Sequence, residues 1–142
     1  MTRRIAFYAP MKSPNHAVPS GDREMARALM AELAGEGHEV ELVSELRIYD
    51  GEGDAATQAS LQAAAQDEVR RLSVTRRWDA WLTYHNYYKA PDLIGPAVAQ
   101  ALNIPYVVAE PSRADKRLTG PWANFEKLAG TACDAARVMF HL

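Results

Sequence analysis

At 142 residues the chain is one domain's length and long enough to bury a real core. Its net charge of −2 and ordinary 24% charged content argue against bulk nucleic-acid binding. A single cysteine, Cys133, excludes an internal disulfide and suggests a reducing compartment.

The opening "MTRRIAFYAPMK" places two arginines before an apolar run, but the run stops at Lys12, too short for a signal peptide. No stretch approaches the roughly 18 apolar residues of a membrane span. The expectation is a cytoplasmic protein, either free or peripheral to a membrane. Residues Arg4–Ala9 ("RIAFYA") predict a first, buried strand. The segment "YAPMKSPNHAVPSGDREMARALM" then runs through a loop into a helix from Asp22 to about Glu36. Met25, Ala26, Leu29, Met30 and Leu33 fall on one face of that helix. Ser20 or Gly21 caps its start, and Gly37 suits its exit.

"HEVELVSEL" alternates Val40 and Leu42 with Glu39 and Glu41, as a second strand would. The loop "RIYDGEGD" leads into a long amphipathic helix carrying Leu61, Ala65, Val69 and Leu72. "WDAWLTYH" predicts the next strand, ending in the polar cluster "HNYYKAPD". Pro96 suits the first turn of a helix to about Leu102, and "IPYVVAE" predicts a strand with Pro105 at its start. After the basic loop "PSRADKRLTG", Pro121 opens a helix with Trp122, Phe125, Leu128, Ala129 and Ala132 on one stripe. "ARVMFHL" predicts a last strand. Strands alternating with helices imply an α/β fold: a doubly wound, mainly parallel, Rossmann-like sheet with helices on both faces, in a single domain.

Such sheets bind ligands beyond the carboxyl ends of their strands. The loops there carry Lys12, His16 and Arg23 after the first strand, and His85, Asn86, Tyr87, Tyr88 and Lys89 after "WLTY". After "YVVAE" come Ser112, Arg113, Lys116 and Arg117, set against Asp22, Asp92, Glu110 and Asp115. A mildly acidic chain thus gathers cations along one edge, which suits a phosphate, diphosphate or carboxylate. A dinucleotide fingerprint needs several glycines, and the first loop offers only Gly21, so NAD or FAD is not expected; nor is there a Walker sequence. "PSGDR" either meets an anion through backbone N–H groups or merely caps the helix. His16, His38, His85 and His141 are too scattered for zinc, and "DGEGD" reads as a solvated turn rather than a calcium loop. No metal site is expected. Cys133, on an apolar stripe, reads as core.

"RIAFYAPMKSP" with "PSGDR", then "WLTYHNYYKAPDLIGP", then "IPYVVAEPS", taken in order, resemble the N-terminal, acceptor-side half of a GT-B glycosyltransferase of the retaining family 4 type, over Arg4 to Leu142. The resemblance implies transfer of a sugar from a nucleotide-diphosphate donor to a hydroxyl acceptor, with no cofactor. It implies that Gly21, with Ser20 and Arg23, belongs to a loop near the donor diphosphate. It makes His85 the catalytic candidate facing the reacting sugar. Asn86, Tyr87, Tyr88 and Lys89 would line the acceptor pocket, with Lys12, His16, Arg113 and Lys116 as further candidates by loop position. The family's E-x-seven-E motif lies in the donor domain; Glu24 and Glu32 match its spacing here by chance, on the first helix. Partners would be the C-terminal donor-binding domain, absent from this chain, and a small-molecule, saccharide or lipid acceptor, with an exposed domain face able to dimerise. The isolated chain would then be inactive. Two other readings stand beside this one: a stand-alone Rossmann- or flavodoxin-like module binding a nucleotide or flavin, and a protein-interaction module.

Overall fold

The computed structural model covers Met1–Leu142. In chain order it contains β1 (Arg4–Tyr8), α1 (Gly21–Gly35), β2 (Glu39–Leu42), α2 (Ala55–Leu72), β3 (Ala80–Asn86), α3 (Gly95–Leu102), β4 (Tyr106–Pro111), α4 (Ala123–Ala135) and β5 (Val138–Phe140). A short 3-10 turn, Asp115–Leu118, sits between β4 and α4. All neighbouring strands are parallel, in the order β2-β1-β3-β4-β5. The chain leaves β1 for one edge, then crosses back over it to begin β3. The doubly wound, Rossmann-like architecture follows, with its switch point between the carboxyl ends of β1 and β3.

The apolar run of β1 is continuous because both its faces are covered. Ile5 and Phe7 join Leu82, Tyr84 and Ala109 beneath α1, where Ala26, Leu29, Met30 and Leu33 pack. Ala6 and Tyr8 join Trp81, Tyr106 and Val108 on the opposite face, beneath α2, α3 and α4. Trp81, Tyr8, Phe7 and Phe125 are wholly enclosed, and each such side chain stabilises the fold by about 1.5–3 kcal/mol. Cys133 is core as well. No helix is long and apolar enough to cross a membrane.

Three sequence expectations need correcting. Met25 is exposed rather than packed with Ala26, because the single helix on its face touches the sheet along a narrow stripe. The turn "DGEGD" is solvated only in part: Glu52 and Asp54 are exposed, but Asp50 is 3% exposed and next to the enclosed Ile48. Asp50 Oδ1 accepts from the backbone N–H groups of Glu52 and Gly53, and Oδ2 accepts from the Asp54 N–H and Gln58 Nε2. Asp92, counted above among the edge acids, is also buried. Its Oδ1 accepts from the N–H groups of Ile94 and Gly95 at the start of α3, and its Oδ2 from the hydroxyls of Thr83 and Tyr106. That network explains Gly95: a Cβ there would lie 2.4 Å from Asp92 Oδ2 and 2.5 Å from Trp81 Nε1.

Candidate functional site

Along β3 the side chains alternate until the strand's last turn. Leu82 and Tyr84 face α1, while Trp81 belongs to the core on the other side. Strict alternation would send His85 to the three-helix face. Its φ of 70° breaks the pattern, and the imidazole instead meets α1. Glu110, one strand over at the matching register, has φ of 56°, so both strands turn left-handed at the same level. Such a conformation in a non-glycine residue costs free energy and concentrates at functional sites.

What His85 meets is Asp22, in the first turn of α1. Ser20 caps that helix by accepting from the Arg23 N–H at 3.2 Å, and the positive helix end favours a carboxylate at Asp22. His85 Nδ1 lies 2.7 Å from Asp22 Oδ2. A carboxylate only accepts, so Nδ1 carries the hydrogen and the neutral ring keeps its lone pair on Nε2. The Tyr84 hydroxyl donates to the other Asp22 oxygen at 3.4 Å. Burial, and then the Asp22 charge, push the Tyr84 phenol up to about 12.

From His85 a row of rings crosses the sheet's carboxyl edge. The His85 and Tyr87 rings stack with centroids 4.6 Å apart and planes 11° from parallel. Tyr87 meets Tyr88 edge-on at 5.6 Å, and Tyr88 meets Trp122 edge-on at 5.4 Å. A tight turn, closed by the Ala90 N–H donating to the Tyr87 carbonyl at 3.0 Å, presents the tyrosines. The Asp50 loop braces the row from behind: its N–H donates to the Lys89 carbonyl, and its carbonyl accepts from Trp122 Nε1, both at 2.9 Å. Burial is the main cause that lifts the Tyr87 phenol to about 12. Cations border the rings. Lys89 Nζ lies 5.9 Å from the Tyr88 centroid and 5.6 Å from that of Trp122; the Arg117 guanidinium lies 4.8 and 5.3 Å from the same two. Arg47 covers Tyr49 at 4.8 Å.

The structure thus brings His85, Tyr87, Tyr88 and Lys89 together and leaves other sequence candidates apart. Asn86 is fully enclosed and points toward α4: its Nδ2 donates to the Ala129 carbonyl, and its Oδ1 accepts from the Asp92 N–H. It holds the strand end in place and lines no pocket. Arg113 is paired with Asp134 on the outside of α4, and Lys116 is exposed and joins no ion pair, so neither reaches the row. The 3-10 turn directs Arg117 there instead. His16 closes a local turn, its Nδ1 accepting from the Val18 N–H. Lys12 is half-buried in the same loop. Arg23 pairs with Glu24 at 2.8 Å, and its Nε is buried without a hydrogen-bond partner. Gly21 opens α1 with nothing within 4 Å of where a Cβ would stand, so packing does not demand glycine there.

Residues that sequence reading missed are Asp22 as the partner of His85, and Trp122, Tyr49 and Arg47; Arg117 counts among the edge cations but not among the acceptor-binding candidates. Trp122 sat in a helical apolar stripe, and only its position just ahead of α4 hinted at another use. A groove of about 650 Å³ opens elsewhere, between α3 and α4 over Ile104, Tyr106 and Leu128. Its lining is mostly aliphatic and amide, with Arg137 the one cation, and its acid and phenol, Asp92 and Tyr106, are bonded to each other. No three His, Cys, Asp or Glu side chains gather closely enough to hold a metal ion. Compared with known protein families, curated proteins and solved structures, the chain matches none of them.

Proposed function

We propose that this chain is the acceptor-side domain of a sugar transferase of the GT-B kind, and that the His85 edge holds the acceptor. One observation carries the reading: an imidazole oriented by Asp22, at the strand switch point, stacked at the head of a row of aromatic rings. In this reading an acceptor hydroxyl donates to His85 Nε2, which aims its oxygen lone pair at the anomeric carbon. The new C–O bond forms as the bond to the diphosphate oxygen breaks; the acceptor's proton passes to His85 Nε2, and the diphosphate departs with the electron pair. The Tyr87 and Tyr88 rings pack against the sugar's apolar face and exclude water. The backbone at Gly21, opening α1, faces the donor phosphates, and a second domain binds the nucleotide.

A second reading draws on the strand order, which is that of flavodoxin-like domains, where a flavin sits at the same switch point. The first loop weighs against it. With Pro10, Pro14 and Pro19 it has fewer backbone N–H groups to wrap around a phosphate.

Titrating the chain separately with glucose, galactose, mannose, N-acetylglucosamine and FMN, followed by backbone and imidazole NMR shifts, tests both. The expected result is saturable shifts at His85, Tyr87, Tyr88 and Trp122 with at least one sugar, abolished by His85→Ala. Tight FMN binding with no response to any sugar would replace the first reading by the second.

A further inference from the structure

The far end of the aromatic row carries charge that neither the His85–Asp22 pair nor ring stacking uses. Lys89 and Arg117 lie over the same two rings, Tyr88 and Trp122. Neither takes part in any ion pair of the structure. Of the nearby carboxylates, Asp50 is engaged inside its loop and Asp54 with Thr57, while the buried Glu126 accepts from the Ala114 N–H through one oxygen and leaves the other unpartnered; none forms an ion pair with Lys89 or Arg117. Arg117 Nε is buried and has no hydrogen-bond partner. A buried donor left unpaired is destabilising, and two cations over one pair of rings repel each other. Both costs are relieved by an oxyanion that accepts from the guanidinium and the ammonium together.

We propose that Lys89 and Arg117, carried on the Tyr88–Trp122 platform, form a subsite for a phosphate monoester. Two free positive charges match a dianion better than a single carboxylate. The planar guanidinium, within reach of both ring centroids, presents its N–H groups as a fork that suits an oxyanion. The proposal rests on the reading of this edge as a saccharide site, since the phosphate would extend from a sugar packed on Tyr87. The monoester belongs either to a free sugar phosphate or to a lipid headgroup.

The test compares glucose, glucose 6-phosphate, inorganic phosphate and vesicles containing phosphatidic acid, using Trp122 emission, NMR shifts and vesicle co-sedimentation. The variants are Arg117→Gln, Lys89→Gln and the exposed control Lys116→Gln, with thermal unfolding as the fold check. Glucose 6-phosphate is expected to bind about tenfold more tightly than glucose, an advantage lost in Arg117→Gln and Lys89→Gln and kept in Lys116→Gln. Vesicle binding with the same dependence, without a soluble phosphate advantage, assigns the phosphate to a lipid and equally supports the subsite. Equal affinity for glucose and its phosphate, with no Arg117-dependent vesicle binding, overturns the subsite while leaving the saccharide site standing. Inorganic phosphate binding that needs Arg117, with no sugar perturbing His85, keeps the subsite and removes the saccharide reading. If Arg117→Gln unfolds, Lys89→Gln carries the same readout.

Discussion

Replacing Asp50 by asparagine probes the loop that braces the aromatic row. The two carboxylate oxygens take four donors: the N–H groups of Glu52 (3.0 Å), Gly53 (3.2 Å) and Asp54 (2.8 Å), and Gln58 Nε2 (2.9 Å). Asparagine keeps one oxygen, serving one pair, and sets its NH2 against the other. Gln58 cannot simply flip to accept, because its Nε2 also donates to the Pro121 carbonyl at 3.1 Å. Two bonds to a charged acceptor are lost, at about 1.5–3 kcal/mol each in isolation. Water reaching the exposed Asp54 recovers part of this, which leaves a net loss of about 3 kcal/mol. Urea unfolding should show a midpoint lower by about 1–2 M at unchanged slope. The pH dependence supplies a second readout. Burial alone would raise the Asp50 pKa, but the hydrogen bonds from Gln58 and the backbone outweigh it and hold the carboxyl below its usual range. As pH falls below about 4 the unfolded chain takes up that proton first, so wild-type stability declines toward acid, and the asparagine variant should lack that part of the slope. A change smaller than about 0.5 kcal/mol, typical of an ordinary surface substitution, would refute the buried-hub account.

Other consequences are equally direct. Gly95→Ala should destabilise by about 3 kcal/mol, since its Cβ would press on Asp92, Trp81 and the Tyr106 ring, whereas Gly21→Ala should leave the melting temperature almost unchanged; similar melting for both variants would contradict the packing described. Asn86→Leu strands the buried Asp92 N–H and should cost about 2 kcal/mol in urea unfolding; wild-type stability would show that Asn86 does not tie β3 to α4. In ultraviolet pH titration Tyr84 and Tyr87 should ionise near 12, and the wholly buried Tyr8 and Tyr106 well above the ordinary phenol range, because burial disfavours each phenolate. The unfolded chain releases these protons from about pH 10, so stability should fall as pH rises beyond that; ionisation of all the tyrosines together at about 10 in the folded protein would refute the burial.

Hydrophobic patterning by itself determined the layers of this protein. An apolar run such as "RIAFYA" reads as a strand covered on both faces, and the alternation of runs with amphipathic stretches leaves little choice but a parallel sheet. The rule that loops gather at the carboxyl edge puts His85, Tyr87, Tyr88 and Lys89 there from sequence, and the fold brings these four together. Only the tertiary structure decided which polar residues face that edge. His85 and Asp22 are 63 positions apart, and they meet because a left-handed backbone at His85 breaks the strand's alternation, which no periodicity foretells. Among the basic residues after β4, a 3-10 turn brings Arg117 to the rings while Arg113 pairs with Asp134 and Lys116 stays in solvent. Asp50, Asn86 and Asp92 look like edge polar groups in sequence and are interior hubs in the fold. Burial follows from apolar pattern, but a polar side chain's role depends on the donor or acceptor that distant segments bring within about 3 Å of it.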